Sequence, residues 1–295
     1  MSEKIIDLHV HSNASDGTLT PAEVIARALK EGVSAVALTD HDILSGLCEA
    51  MEAGRKKGVE VVPGCELSVQ SPRGPLHILG LYVPPEGSRL EGVLGGLRKM
   101  RHSRNERIVT RLRELGMDIR YEEIKALAGG TVGRPHIAMA MVKKGFVPSL
   151  EAAFRQYLGS GGAAYVPKEK LTSEEAIRAL REDGATVFLA HPFTMGISED
   201  GLKTLLRELK EMGLEGVEAF YPEHSPGQTR FCLELARKEG LLVSGGSDFH
   251  GSNKPGLELG RGRGDLQVPF DVLDRIKEHR KKQGLWTEWS GGAGR

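Results

Sequence analysis

The 295-residue chain balances 40 Lys and Arg against 40 Asp and Glu, so no net field draws it to nucleic acid or to a membrane. Its length suits one large α/β domain, or one domain with an insertion. Three cysteines (Cys48, Cys65 and Cys232) without a CxxC argue against a disulfide framework or a thiolate zinc site; with no signal peptide and no membrane-length apolar run, a cytoplasmic location is expected.

The first strand is read in Ile5-Ile6-Asp7-Leu8, running out at His9-Val10-His11, with Asp16 in the polar loop behind. Residues two apart in a strand share a side, so His9 and His11 can face one ion. Thr20-Pro21-Ala22-Glu23 has the form of a capping box with Pro at the first helical position, opening a helix that stops at Gly32. A second strand, Ala35 to Thr39, ends in Asp40-His41-Asp42. A helix over Ser45 to Lys57 follows, stopped by Gly58. A third strand from Val59 runs through Pro63-Gly64-Cys65 to Glu66. Ser71 to Pro75 is a turn signal, and the fourth strand, Leu76 to Val83, carries His77 near its start. If these two strands form a hairpin, the start of the fourth lies at the same rim as Glu66.

The alternation then breaks. From about Ser88 to Leu158 the pattern is helical and rich in Arg and Leu, which reads as an insertion. The rhythm resumes with a helix at Ser173 to Glu182. Strands follow at Thr186 to Ala190, ending in His191-Pro192; at Gly216 to Ala219, ending in Tyr221-Pro222-Glu223-His224; and at Leu241 to Ser244, ending in Ser247-Asp248-Phe249-His250. Helices are expected over Glu199 to Met212, Gln228 to Glu239 and Asp271 to Gln283. Short βα units imply a mainly parallel sheet. Some seven strands with polar C-terminal ends suggest a closed or nearly closed barrel with its chemistry on that face. An open doubly wound sheet is the alternative.

The candidate ligands are therefore His9, His11, Asp16, His41, Glu66, His77, His191, Asp248 and His250. Nine ligands are too many for one four-coordinate ion. Imidazoles mixed with carboxylates suit Zn, Mn or Fe better than Ca or Mg.

His9-x-His11, Thr39-Asp40-His41-Asp42, Pro63-Gly64-x-Glu66, the His77 strand, Ala190-His191-Pro192 and Ser247-Asp248-x-His250 together resemble the motifs of the PHP (polymerase and histidinol phosphatase) superfamily. The resemblance implies a distorted (β/α)7 barrel; the pattern along the chain places it over residues 1–87 and 159–289, with a helical insertion or cap at 88–158, and the Gly-rich run at 290–295 reads as a flexible tail. It also implies two or three divalent ions and phosphoesterase activity. Its pattern gives one ion to His9, His11, Glu66 and Asp248. A second goes to Glu66, His77 and His191, and a third to Asp16, His41 and His250.

The runs Gly130-Thr131-Val132-Gly133-Arg134-Pro135-His136 and Ala164-Tyr165-Val166-Pro167-Lys168 resemble the subgroup of nucleoside 3′,5′-bisphosphate phosphatases, some of which trim short RNA or DNA from the 5′ end. Arg134, His136 and Lys168 are then candidates for phosphate binding, through a guanidinium fork and backbone N–H groups. His224 is the candidate general acid, working beside Asp248 and His250 at the reacting centre. Lys254, Arg261 and Arg263 lie in a Gly-rich loop that either reaches the anion or is a plain basic loop. The arginines from Arg98 to Arg111 are a solvated face or a track for an oligonucleotide. The expected substrate is a nucleotide such as adenosine 3′,5′-bisphosphate, converted to AMP, with short oligonucleotides as further substrates. The alternatives are a histidinol-phosphate phosphatase, or a binding module with structural metals.

Overall fold

In the computed structural model, which describes residues 4–128, 132–167 and 170–288, the apolar runs of the sequence are strands of one sheet. They are β1 (Ile5–Val10), β2 (Val33–Leu38), β3 (Glu60–Ser71), β4 (Gly74–Leu81), β5 (Leu171–Thr172), β6 (Thr186–Leu189), β7 (Gly216–Phe220), β8 (Leu242–Gly245) and β9 (Val268–Pro269). The order is β8-β7-β6-β4-β3-β2-β1-β9, with β5 pairing on β3. β5 and β9 have two residues each, too few to leave a periodic signal in the sequence.

β3 and β4 form an antiparallel hairpin from Gly64 opposite Leu81 to Ser71 opposite Gly74, whereas β1, β2 and β3 run parallel, as do β6, β7 and β8. Ser68 stands opposite His77. Glu66, two residues from Ser68, therefore shares a face with His77. Past Gly245 the chain continues along β1. The Asp248 N–H donates to the His9 carbonyl at 2.8 Å, and the His11 N–H to the Phe249 carbonyl at 2.9 Å. These bonds nearly close the sheet into a barrel.

The helices of this unit begin where the sequence offers caps. Thr20 caps α1 (Pro21–Lys30), with the Glu23 carboxylate returning to the Thr20 N–H at 2.8 Å. α2 (Leu47–Lys57) stops at Gly58, whose φ of 71° is left-handed. Between β4 and β6 lie the start of α3 (Arg89–Glu114) and, after β5, α7 (Ser173–Glu182). α8 (Glu199–Glu211) precedes β7, α9 (Pro226–Glu239) precedes β8, and α10 (Phe270–Lys282) follows β9. α9 starts two residues before the Gln228 expected from the sequence, because Ser225 and Gln228 form a capping box around Pro226.

The chain divides into two units, residues 1–93 with 171–295, and residues 94–170. The second holds the rest of α3 with α4 (Tyr121–Ala128), α5 (Arg134–Lys143) and α6 (Leu150–Ala153). It has its own core, in which Ile108, Leu112, Ile119, Ile124, Ile137, Met141 and Leu158 are buried together. In the barrel, Ile6, Leu8, Ala37, Leu79, Leu81 and Phe188 form the inner packing. Among the described residues no helix is long and apolar enough to cross a membrane.

Candidate metal centre

All nine candidate ligands belong to the barrel unit, and they meet there. Three groups of side chains are close enough to share an ion: His9, His11, Glu66 and Asp248; His41, Glu66 and His77; and His11, Asp16, His41 and His250. His191 joins the middle of the cluster, with Nε2 2.9 Å from Glu66 Oε1 and 3.2 Å from His77 Nδ1. The strand ends position them. His9 is the last residue but one of β1 and His11 lies just beyond it, His41 bridges to Glu66 in β3, and Asp248 and His250 follow β8.

Glu66 is the hub and is fully buried. Its Oε2 lies 3.2 Å from His9 Nε2, 3.2 Å from His11 Nε2 and 3.1 Å from His41 Nδ1. Its Oε1 lies 2.8 Å from His77 Nδ1 and 2.9 Å from His191 Nε2. Yet Glu66 Oε2, His9 Nε2, both His11 nitrogens and His41 Nδ1 are buried without a hydrogen-bond partner. Buried polar atoms are ordinarily satisfied. Lone pairs converging on one region without hydrogen bonds are what a cation requires.

The neighbouring bonds leave the inward nitrogens bare. Thr194 Oγ1 donates to the His191 carbonyl at 2.8 Å, so at 3.0 Å it accepts from His191 Nδ1–H, and in the neutral ring Nε2 is the nitrogen left unprotonated. His250 Nδ1–H donates to the Asp248 carbonyl at 2.7 Å, leaving Nε2 to face Asp16 Oδ1 at 3.2 Å. His9 Nδ1–H donates to Glu218 at 3.0 Å.

The electrostatics agree. Burial alone would raise Glu66, but the His41, His9 and His77 rings hold it well below the usual carboxylate range. Asp248 is likewise held down, by His9 and His11 against its burial. Burial would depress His11, but the Asp248 and Glu66 carboxylates beside it push it up to about 9. The cluster is thus built from ionised carboxylates in a buried place, where a charge is costly unless paired. His191 (φ 26°) and Asp248 (φ 53°) also sit in the left-handed region. Such strain costs about 1–3 kcal/mol each and concentrates at functional sites.

Sequence reasoning passed over several supporting residues. Glu218 in β7 is fully buried and holds both His9 and the His191 backbone. Asp7 in β1 is fully buried and accepts from the Ser247 N–H (2.8 Å), Ser247 Oγ (2.5 Å) and the Gly260 N–H (2.7 Å), fixing the segment before Asp248. Tyr221 donates to Asp248 Oδ2 at 3.0 Å. A lone carboxylate inside an apolar strand was the signal for Glu218 and Asp7.

The substrate candidates divide. His224 Nδ1–H donates to the Ala219 carbonyl at 3.0 Å, its Nε2 is buried without a partner, and burial lowers its pKa. Lys254 lies 2.6 Å from Asp248 Oδ2, and Arg263 3.6 Å from Glu223. In the second unit, Arg134 Nη1 donates to the Leu158 carbonyl at 2.9 Å, and its guanidinium lies 5.7 Å from the centre of the Tyr165 ring. His136 Nδ1 accepts from the Gly133 N–H at 3.0 Å, closing the first turn of α5. The arginine run is not simply a solvated face. Arg98 and Arg101 line a cavity of about 210 Å³ with His102, Asn105, Tyr121 and Lys125, and Arg104 is buried on Asn105. Lys168, Gly130, Thr131 and the 290–295 tail lie outside the described residues.

Comparison with known proteins fits this geometry. The PHP domain family matches residues 7–164. The chain is 33% identical to the 5′-3′ exoribonuclease Rnm of Escherichia coli (strain K12), covering 97% of this chain and 94% of that protein. It is 33% identical to the 3′,5′-nucleoside bisphosphate phosphatase of Chromobacterium violaceum, over 86% and 90% of the two chains. It is 34% identical to the phosphoribosyl 1,2-cyclic phosphate 1,2-diphosphodiesterase of Eggerthella lenta, over 84% and 94%. Among solved structures, an amidohydrolase from Chromobacterium violaceum with bound sulfate and no metal matches at a TM-score of 0.74 and 31% identity, over 93% and 96% of the chains. With a family match across more than half its length and relatives alike across most of theirs, the chain belongs to the PHP domain family and is a phosphoesterase of that family.

Proposed function

We propose that the protein removes the 3′-phosphate of nucleoside 3′,5′-bisphosphates, such as adenosine 3′,5′-bisphosphate, giving the 5′-monophosphate, with two or three divalent ions (Mn, Zn or Fe) at the barrel rim. The observation that carries the metal half is Glu66, with five ring nitrogens within 3.2 Å of its two oxygens. The activity named for the Chromobacterium violaceum phosphatase supports the substrate. His9, His11, Glu66 and Asp248 would hold one ion, Glu66, His77 and His191 a second, and Asp16, His41 and His250 a third. Such ions supply Lewis-acid charge and lower the pKa of water.

The chain's own residues divide the remaining work. Arg134 holds the non-reacting 5′-phosphate. What supports this is its place at the first turn of α5, with one arm of the fork anchored on the Leu158 carbonyl. His224 passes a proton from Nε2 to the leaving 3′-oxygen, a role favoured by an Nδ1 already committed to Ala219.

The test is kcat/KM for adenosine 3′,5′-bisphosphate against adenosine 3′-monophosphate, in wild type and Arg134→Ala. The bisphosphate should lead in wild type. The variant should erase most of that lead, about 1.5–3 kcal/mol for a charge-assisted bond. Equal handling of the two by wild type, or preference for histidinol phosphate, would end the bisphosphate assignment. Likeness to the Rnm exoribonuclease favours a second reading, trimming of 5′-phosphorylated oligonucleotides. Including such an oligonucleotide in the panel ranks the two.

A further inference from the structure

We infer that Glu218, which is not one of the candidate ligands, is a positioning residue that sets the metal affinity of the two halves of the cluster together. Glu218 sits in the middle of β7, fully buried. Its Oε1 lies 3.0 Å from His9 Nδ1, and its Oε2 accepts the His191 N–H at 2.7 Å. Those residues serve opposite oxygens of Glu66. His9 Nε2 lies 3.2 Å from Oε2, and His191 Nε2 lies 2.9 Å from Oε1. One carboxylate thus orients a ring on one side of the hub and, on the other, the backbone that carries a second ring. The His191 backbone has a φ of 26°, a conformation a non-glycine residue keeps only when its surroundings hold it.

Both contacts require an acceptor. A backbone N–H can only donate, and His9 must donate from Nδ1 for its Nε2 to be bare. Glutamine has the same shape but only one acceptor. If its carbonyl takes the His191 N–H, its NH₂ faces His9 Nδ1. The ring proton must then move to Nε2, where it occupies the lone pair that faces Glu66. If its carbonyl takes His9 instead, the NH₂ opposes the His191 N–H, and the strained backbone loses its tether. Either arrangement damages one half of the cluster without removing any candidate ligand.

This inference rests on the metal reading of the site. The experiment is a titration of chelator-stripped full-length wild type, Glu218→Gln and Glu218→Asp with Mn²⁺ and with Zn²⁺, alongside the Tm of each metal-free protein. We expect Glu218→Gln to bind about 10–100-fold more weakly, the range for loss of an outer hydrogen-bond partner. Its metal-free Tm should fall by no more than a few degrees, since glutamine fills the same space and keeps one of the two acceptors. Glu218→Asp, which keeps two acceptors, should recover part of the affinity. If Glu218→Gln binds as tightly as wild type, the role is wrong. If affinity falls only in step with the metal-free Tm, and aspartate recovers nothing, Glu218 is merely structural and the inference also fails. A wild type that takes up no divalent ion overturns the metal reading and this inference together.

Discussion

Glu66→Gln tests the hub of the proposed centre with the least disturbance to packing, since the amide has the size and shape of the carboxylate it replaces. The structure sets the magnitude. Glu66 belongs to two of the three ligand groups found among the described residues, and Asp16 to one. With three ions bound to wild type, Glu66→Gln should therefore lose two and keep one, whereas Asp16→Ala should lose one and keep two. The two positions also differ in setting. Glu66 is fully buried, while the Asp16 side chain is 56% exposed, so water can replace part of what Asp16 supplies. Lewis-acid stabilisation is worth several kcal/mol, so losing two ions should lower hydrolysis of a simple aryl phosphate diester by at least about 10²-fold. The assay is elemental analysis of gel-filtered, metal-replete protein, with the hydrolysis rate measured on the same samples. A Glu66→Gln protein that keeps its full complement would refute the bridging role. So would an Asp16→Ala protein that loses every ion, because the groups would not then be separable as drawn.

Three further outcomes are expected. His224→Ala should keep its metal content but slow the chemical step by about 10²–10⁴-fold; because burial places His224 below its ordinary pKa, wild-type kcat should fall as pH rises through that lowered value, and a variant with the same limb in its kcat–pH profile would exclude His224 as the acid. Asp7 is pushed up to about 6 by burial, above its ordinary 3.8, so its neutral form favours folding and that contribution is lost as pH climbs from 3.8 through 6. Relative to Asp7→Asn, wild-type stability from denaturant titrations should therefore drop by about 3 kcal/mol between about pH 3 and pH 7, and a constant difference would contradict the burial argument. Gly246→Ala should unfold the barrel seam, since the added Cβ would meet His9 N at 2.4 Å and Asp7 Oδ1 at 2.7 Å; a Tm within two or three degrees of wild type, at about 1 kcal/mol or less, would show that the seam can yield.

The elements with strong local signals were legible. Thr20 and Glu23 fixed the start of α1, and Gly58 the end of α2, through bonds made within a few residues. The hairpin across Ser71 to Gly74 follows from its turn residues, and it is what brings His77 to the rim beside Glu66. β5 and β9 were not legible, because two residues show no period and exist as strands only through partners elsewhere in the chain. Nor could the sequence reveal that Arg104 turns inward, since that depends on Asn105, whose side-chain oxygen accepts from Arg104 while its amide donates to the Val132 carbonyl.

The candidate ligands and the residues that orient them were unequally legible for a physical reason. The ligands stand at strand ends, where the apolar run gives way to His, Asp and turn residues, so each carries its own punctuation. The supporting residues sit inside the runs, and their meaning lies in a partner far away. His9 meets Glu218 across 209 positions, and Asp7 meets Gly260 across 253. A sequence can still say something about such residues. A carboxylate within a strand buried on both faces cannot remain without donors, because an unmet buried charge would cost more than the strand gains from packing. Glu218 and Asp7 therefore announce that donors must arrive from elsewhere in the chain. What they do not announce is which donors, and here those are the ring, the backbone and the loop that aim the histidines and Asp248 at Glu66. In this fold Glu218 and Asp7, carboxylates inside buried runs, mark the built site, because the groups that satisfy them are the ones that orient its candidate ligands.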